Sequence, residues 1–162
     1  MEVSNWVSCK WIEIPSLFIA LFAILVITIS DTDVEGKTSE ESRYQEAITY
    51  YDRVLAIDST NVDALYNKAL ALDGLGRHQE AITDYDKVVA VKPTDKYALY
   101  NKALALDSLG RHQEAVTYYD RVLAIDSTDV NALYSKALAL RELGRYQEAI
   151  TYYWQFLAVR FF

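Results

Sequence analysis

Apolar residues recur every three to four positions through most of this chain, a spacing that predicts amphipathic α-helices. Two kinds of helix alternate. The first kind is apolar around most of its circumference, which predicts packing on several sides, and the second carries a single apolar stripe. Short connections between them predict antiparallel pairs in an all-α fold. We expect first helices at 61–75, 95–109 and 129–143, and second helices at 42–57, 78–91, 112–125 and 146–160.

The helix ends carry separate signals. A glycine follows each first helix, where a left-handed residue closes the last turn without a Cβ clash. A threonine precedes each first helix as a candidate N-cap, and Thr60 with Asp63 resembles a capping box in which Asp replaces Glu. A small residue in the middle of each first helix is expected where helices cross. These positions are Gly76, Gly110 and Gly144; Thr60, Thr94 and Thr128; and Ala69, Ala103 and Ala137.

The pattern repeats with a period of 34 residues. Residues 62–95 and 96–129 are identical at 24 of 34 positions. A fixed period of this length indicates a solenoid, in which each unit buries its apolar face only against its neighbours. We divide the chain into an N-terminal hydrophobic segment (1–30), an acidic linker (31–41), a half repeat (42–61) and three repeats (62–95, 96–129 and 130–162).

The repeat resembles the tetratricopeptide repeat over about residues 43–162. In the first full copy the resemblance is carried by Leu65, Ala69, Leu72, Ala81, Tyr85 and Pro93. Lys68 is a departure, because the family has Leu at that place. The resemblance implies a right-handed superhelical solenoid of antiparallel helix pairs, about three and a half repeats long, whose concave groove is lined by the first helices.

The same resemblance implies a partner site in that groove. Stacked Tyr66, Tyr100 and Tyr134 would form an aromatic ladder whose hydroxyl groups can hold an extended peptide. The alternative is that these tyrosines are repeat consensus and pack against neighbouring helices. The residues expected to line the groove are Asp63, Tyr66, Leu70, Asp73, Tyr97, Tyr100, Leu104, Asp107, Asn131, Tyr134, Leu138 and Arg141.

One family site is missing from the sequence. Many tetratricopeptide repeat proteins hold the C-terminal carboxylate of a partner with Lys, Asn and Arg side chains. Asn67 and Asn101 occupy one such place, but the Lys and Arg places hold Tyr, Asn or Ser. We therefore do not expect a receptor for C-terminal tails.

The last predicted helix departs from the repeat. Trp154 replaces an aspartate of the earlier copies, and Phe161 stands where they have Ser or Pro. Repeat arrays need polar ends, so an apolar terminal edge is expected to be adhesive. It could serve self-association, touch a membrane, or mark the end of a truncated longer array. The edge residues are Tyr152, Trp154, Phe156 and Phe161.

Residues 16–30 carry no charge and lie between Glu13 and Asp31. Fifteen helical residues span about 22 Å, against about 30 Å for a bilayer core. Trp6 and Trp11 suit the membrane interface. Two interpretations stay open: a signal anchor with the repeats on the extracytoplasmic side, or a secretory signal cleaved before Asp31.

Composition and charge disfavour several classes of function. The net charge of −7 without a basic stripe disfavours nucleic-acid binding. His78 and His112 lie one repeat apart, about 10 Å, which is too far to share a metal ion. We expect both to pack as aromatic rings, and acidic residues of the second helices such as Asp84 and Asp120 to be solvated. No catalytic triad, phosphate loop or metal cluster is recognisable, so we expect no enzyme, cofactor or metal.

The sequence therefore predicts an interaction scaffold that binds a protein or peptide on its tyrosine-lined face. Residues 16–30 would tether it to a membrane. The alternatives are an assembly protein that associates through its last helix, and a piece of a longer repeat array.

Overall fold

The computed structural model describes residues 38–161, which form seven α-helices joined by short connections. The first, α1, covers 38–57. The others are α2 (Val62–Gly74), α3 (His78–Val91), α4 (Lys96–Ser108), α5 (His112–Ile125), α6 (Val130–Glu142) and α7 (Tyr146–Phe161). The predicted hydrophobic segment 1–30 lies outside the described residues, as does most of the linker 31–41. Among the described helices, none is long and apolar enough to cross a bilayer.

Helix α1 begins at 38, four residues before its predicted start. The last residues of the expected linker are therefore helical. Glu40 and Glu41 lie in the first turn, where negative charge is favoured by the positive end of the helix dipole. Linker composition alone did not reveal this extra turn.

The helices pack in sequence order, as the short connections predicted. The pairs α2/α3, α4/α5 and α6/α7 form the repeats, and each second helix also packs against the first helix of the next repeat. Along one side of the array, α2 also touches α4 and α4 touches α6. We call this side the first-helix face.

The predicted N-caps are wrong by one residue. The caps are Asn61, Asp95 and Asp129, whose side chains accept hydrogen bonds from the amides of Ala64, Ala98 and Ala132 at 2.9–3.0 Å. A carboxylate or amide oxygen caps a helix at least as well as a hydroxyl. Because Asn or Asp already occupies the N-cap position, the threonine one residue earlier does not cap the helix. Two of the threonines instead close the preceding turn. The amides of Thr60 and Thr128 donate to Asp58 and Asp126 at 3.1 Å.

The predicted glycine caps are confirmed. Gly76, Gly110 and Gly144 have φ of 72°, 73° and 72°, the left-handed region that a side chain with a Cβ disfavours. In the first repeat the amide of Arg77 then reaches back to the carbonyl of Leu72 at 2.9 Å. The chain reverses there and starts the second helix.

The core runs along the array between first and second helices. Ala69 and Ala103 are fully buried and Ala137 is 4% exposed, as expected for residues at helix crossings. Tyr85 and Tyr119 are also fully buried, and they hold the same place in successive second helices. Repetition of sequence therefore produces repetition of packing, as a solenoid requires.

The lysine that departs from the family pattern has a structural role. The side chain of Lys102 is only 7% exposed and its Nζ pairs with Asp86 of the preceding second helix. Lys136 pairs with Asp120 in the same way, and Lys68 lies 2.7 Å from Asp52. Asp120 is exposed as expected, with 56% of its side chain accessible, and it also joins two repeats. Asp84, by contrast, is buried rather than solvated, with Lys87 at 2.6 Å.

Candidate partner-binding groove

The three tyrosines of the first helices lie in equivalent places on the first-helix face. Each ring contacts the tyrosine of its own second helix rather than the next tyrosine of the row. The centroids of Tyr66 and Tyr85 are 6.0 Å apart, and those of Tyr100 and Tyr119 are 5.9 Å apart. Among the described residues, no ring contact joins two of the three groove tyrosines. The predicted stacking is therefore wrong, because the repeat spacing separates the rings.

Their hydroxyl groups connect successive repeats instead. The Tyr66 hydroxyl accepts a hydrogen bond from the Asn101 side chain at 2.8 Å, and the Tyr100 hydroxyl lies 3.2 Å from Ser135 Oγ. Burial, together with the negative charge of Asp95, raises the pKa of Tyr66. The phenol stays protonated, so its O–H can still donate to a ligand after accepting from Asn101.

Asp73 and Asp107 are each held by two side chains of their own repeat. Asp73 Oδ1 lies 2.9 Å from His78 Nδ1, and its other oxygen accepts from Tyr85 Oη at 3.2 Å. Asp107 has the same two partners, His112 and Tyr119, both at 2.9 Å. Burial raises the pKa of Asp73 despite these hydrogen bonds.

These contacts change the role of both histidines. They are partly buried, as expected of packing rings, but each also orients an aspartate of the groove. The sequence does contain a signal for this pairing. In the third repeat Arg141 replaces the aspartate and Tyr146 replaces the histidine, so the two positions change together.

Two clefts contain predicted groove residues. One, of about 300 Å³, brings together four predicted groove residues, Leu104, Asp107, Leu138 and Arg141, from adjacent repeats. The other, of about 590 Å³ and mostly apolar, lies between α6 and α7. It joins predicted groove residues of the third repeat to the terminal edge. Its lining includes Tyr134, Leu138, Arg141, Ile150, Tyr153 and Trp154.

The remaining predicted groove residues line neither of these clefts. Asp63, Tyr97 and Asn131 lie near the starts of the first helices and are exposed, Tyr97 by 68%. Leu70 is 38% exposed on α2. Tyr66 and Asp73 are partly buried by the contacts described above. These residues border the face without sharing an enclosed space.

The predicted terminal edge is half exposed and half packed. Trp154 and Phe161 are 65% and 69% exposed. Tyr152 instead lies under Lys136, whose Nζ is 3.5 Å from its ring centroid, and Phe156 lies 5.2 Å from the Tyr134 ring. Sequence inspection missed Ile150 and Tyr153, which are 50% and 45% exposed although their counterparts in earlier repeats are buried.

Comparison with known protein families assigns the described helices to one family. The sequence model described as Tetratricopeptide repeat matches residues 40–95, 66–130 and 100–158. These overlapping matches span nearly all of the described helices. No curated protein matches the chain.

Solved structures of MamA are similar to the described array. One crystal structure of MamA aligns with a TM-score of 0.69 at 26% identity, over 72% of this chain and 63% of that one. Another, comprising MamA from residue 41 to its end from Desulfovibrio magneticus RS-1, aligns with a TM-score of 0.71 at 20% identity. That alignment covers 74% of this chain and 67% of the other. The chain therefore spans just under two thirds of the first MamA structure.

Proposed function

We propose that this chain binds an extended peptide segment of a protein partner along its first-helix face. The premise is that the chain belongs to the tetratricopeptide repeat family, whose members are protein–protein interaction scaffolds. The observation that supports the proposal most is the cleft formed by Leu104, Asp107, Leu138 and Arg141. Its lining combines apolar side chains with charged ones, and it draws on two repeats at once. Ligand sites of this composition hold an apolar side chain and fix its orientation through a few polar contacts.

The polar groups of the face suit a peptide backbone. The Tyr66 and Tyr100 hydroxyl groups, the Asn101 amide and Ser135 stand at a period set by the repeat. Each can exchange hydrogen bonds with a peptide N–H or C=O, while apolar side chains of the peptide enter the clefts between repeats. Tyrosine is well suited to this task, since it presents a large ring with little side-chain freedom to lose.

The charge of the face indicates the kind of peptide. Asp63 is exposed at one end of the row, whereas Arg141 lies beside the apolar cleft at the other. Asp73 and Asp107 already have two internal partners each, so they contribute negative potential more than direct contacts. We expect a peptide with a bulky apolar residue near α6 and a basic residue near α2.

The experiment is a selection of peptides from a displayed random library against the full chain in mild detergent. A photo-reactive group in the selected peptide then locates the binding site. Cross-links should fall on α2, α4 and α6, near Tyr66, Tyr100 and Leu104. Cross-links confined to exposed second-helix residues such as Gln113 and Thr117 would contradict the proposal.

We also propose that residues 16–30 tether the scaffold to a membrane, with the repeats on the extracytoplasmic side. The support is the uncharged apolar run followed by acidic residues. The full chain should then sediment with membranes, and a chain starting at Thr38 should stay in the supernatant. Full-length protein with an intact N-terminus in the supernatant contradicts the tether, and a cleaved N-terminus supports the secreted alternative.

A further inference from the structure

Six positions on α7 form a row that we call the α7 stripe. Their successive spacings are 4, 3, 1, 3 and 4 residues, so the row is symmetric about the midpoint of the helix, between Tyr153 and Trp154. At 100° per residue, all six lie within about 50° of one direction. The stripe consists of Tyr146, Ile150, Tyr153, Trp154, Leu157 and Phe161.

Three substitutions complete this stripe. The equivalent places in α5 and the turn after it hold His112, Asp120 and Ser127, whereas α7 and its end hold Tyr146, Trp154 and Phe161. The other three places keep the residue type of the earlier repeats. These three changes therefore each place a large aromatic residue where α5 and its turn have His, Asp or Ser.

The stripe is exposed to an unusual degree for this array. Tyr146, Trp154 and Phe161 are 62%, 65% and 69% exposed. Ile150 is 50% exposed, although its counterparts Ile82 and Val116 are each only 4% exposed. In the earlier repeats the places of Ile150 and Tyr153 are buried, whereas the place of Trp154 holds Asp86 or Asp120, whose side chains are 54% and 56% exposed.

A further first helix of the same type does not suit this surface. Asp86 and Asp120 each receive the buried lysine of the next first helix, Lys102 or Lys136. Trp154 occupies that place in α7 and offers no carboxylate, so a lysine arriving there would be desolvated without an anion. The surface instead suits a partner whose facing residues are also uncharged.

We propose that the α7 stripe is the interface of a two-fold dimer, in which α7 packs antiparallel against α7 of a second copy of this chain. The symmetric spacing brings Tyr146 of one helix level with Phe161 of the other, and Ile150 level with Leu157. Trp154 of both copies lies beside the axis. A two-fold interface must be self-complementary, and a row that reads the same in both directions satisfies that condition.

The exposed area of the α7 stripe is large enough to form a small dimer interface. Aromatic side chains bury about 150–250 Å² each, so the exposed fractions of the stripe amount to roughly 500–600 Å² per copy. Two copies together reach roughly 1,000–1,200 Å², the lower end of specific interfaces. All stripe residues except Phe161 line the cleft of about 590 Å³, so Tyr134 and Leu138 on its other wall can extend the contact. Leu138 also lines the proposed peptide cleft, so the dimer and the peptide share this residue of α6, whereas Tyr66, Tyr100 and Leu104 stay outside the interface.

The test uses cross-linking of the full chain in membranes, with Cys9→Ser removing the native thiol. Gln147→Cys and Ala158→Cys are exposed positions beside the stripe and leave it intact. In the antiparallel dimer, position 147 of one copy lies about 10 Å from position 158 of the other, from the helix rise and an interaxial distance of 8–10 Å. A short bismaleimide should therefore link a mixture of the two variants. Each variant alone, with its two thiols about 15–20 Å apart, should give at least tenfold less product.

A matched control restores the earlier repeats at two places of the stripe. Trp154→Asp with Phe161→Ser introduces the residues of α5 and should abolish the mixed cross-link while circular dichroism stays helical. Tyr97→Ser removes an equally exposed aromatic residue from α4 and should leave the cross-link unchanged. The proposal is overturned if the mixed product is absent, if like-with-like products dominate, or if the restored variant cross-links as well as the parent.

Discussion

At the scale of residues, the array is joined by pairs that cross from one repeat to the next. A lysine in the middle of each first helix meets an aspartate sixteen residues earlier, on the preceding second helix. Periodicity indicates which face of a helix is buried, but it does not tell which polar side chains share that face. For this reason the pairing of Asp120 with Lys136 and the burial of Asp84 were not predicted. Recurrence of the same lysine and aspartate in successive repeats was the available signal.

The two members of such a pair should respond differently to mutation. Asp86→Ala leaves the buried Lys102 ammonium without its anion, and we expect a loss of about 1–2 kcal/mol in the free energy of unfolding. The estimate is modest because Asp86 itself is 54% exposed. Lys102→Met removes the charge and keeps the apolar stem, so it should cost less than about 1 kcal/mol. Urea denaturation of both variants measures the difference, and a greater loss from Lys102→Met would refute the assigned roles.

Helix capping provides a second test at this scale. Asp95 accepts from the Ala98 amide at 3.0 Å, whereas Thr94 precedes the helix without capping it. Asp95→Ala should therefore lower the free energy of unfolding by about 1 kcal/mol, and Thr94→Ala by only a few tenths. Equal losses in a chemical denaturation series would show that the cap is shared between the two residues.

At the scale of elements, the sequence predicted most helix boundaries to within one residue, because glycine and the apolar period recur in every copy. The prediction for α4, 95–109, compares with the observed Lys96–Ser108. The start of α1 was missed, since no apolar residue marks its first turn. The clefts of the candidate site were also not predictable, because they depend on how two helices of different repeats approach each other.

The close approach of helices predicts the effect of a larger residue. Ala103 is fully buried where α4 meets its neighbours, so Ala103→Leu adds three carbon atoms to a filled space. We expect a loss of about 1–3 kcal/mol and a thermal midpoint lower by several degrees. Ala124→Leu, on the exposed side of α5, is the matched control and should leave the midpoint nearly unchanged. An unaffected midpoint in Ala103→Leu would contradict the packing.

At the scale of the whole molecule, charge is organised by the repeat as well. At the start of α3, α5 and α7 an arginine donates two hydrogen bonds to a glutamate three residues later. The distances from its Nε and Nη2 to the two carboxylate oxygens are 2.7–2.8 Å. The hydrogen bonds from Arg77, Arg111 and Arg145 lower the pKa of Glu80, Glu114 and Glu148. A similar ion pair with Lys96 lowers the pKa of Asp126 between two repeats.

These shifts set the sign of the pH dependence. A glutamate with a lowered pKa in the folded state stabilises the fold above its ordinary pKa of about 4.3, and this stabilisation is lost as the pH falls further. Asp73 acts in the opposite direction, because burial raises its pKa. The acids with a lowered pKa, which are four glutamates and two aspartates, outnumber Asp73, so we expect the thermal midpoint to fall between pH 5 and pH 3. The triple variant with Gln at positions 80, 114 and 148 should show a flatter profile, and an identical slope would exclude these pairs as its cause.

Tyr100 lies at the centre of the first-helix face, where we propose that the peptide binds. The most direct measurement is the dissociation constant of a library-selected peptide for the parent chain and for Tyr100→Ala, with Thr117→Ala on α5 as control. Loss of a central aromatic contact of about 2 kcal/mol corresponds to roughly thirtyfold weaker binding. We expect that loss for Tyr100→Ala, with helicity retained and the affinity of the control unchanged. Equal affinity of Tyr100→Ala and the parent chain, measured on folded protein, would contradict the proposal.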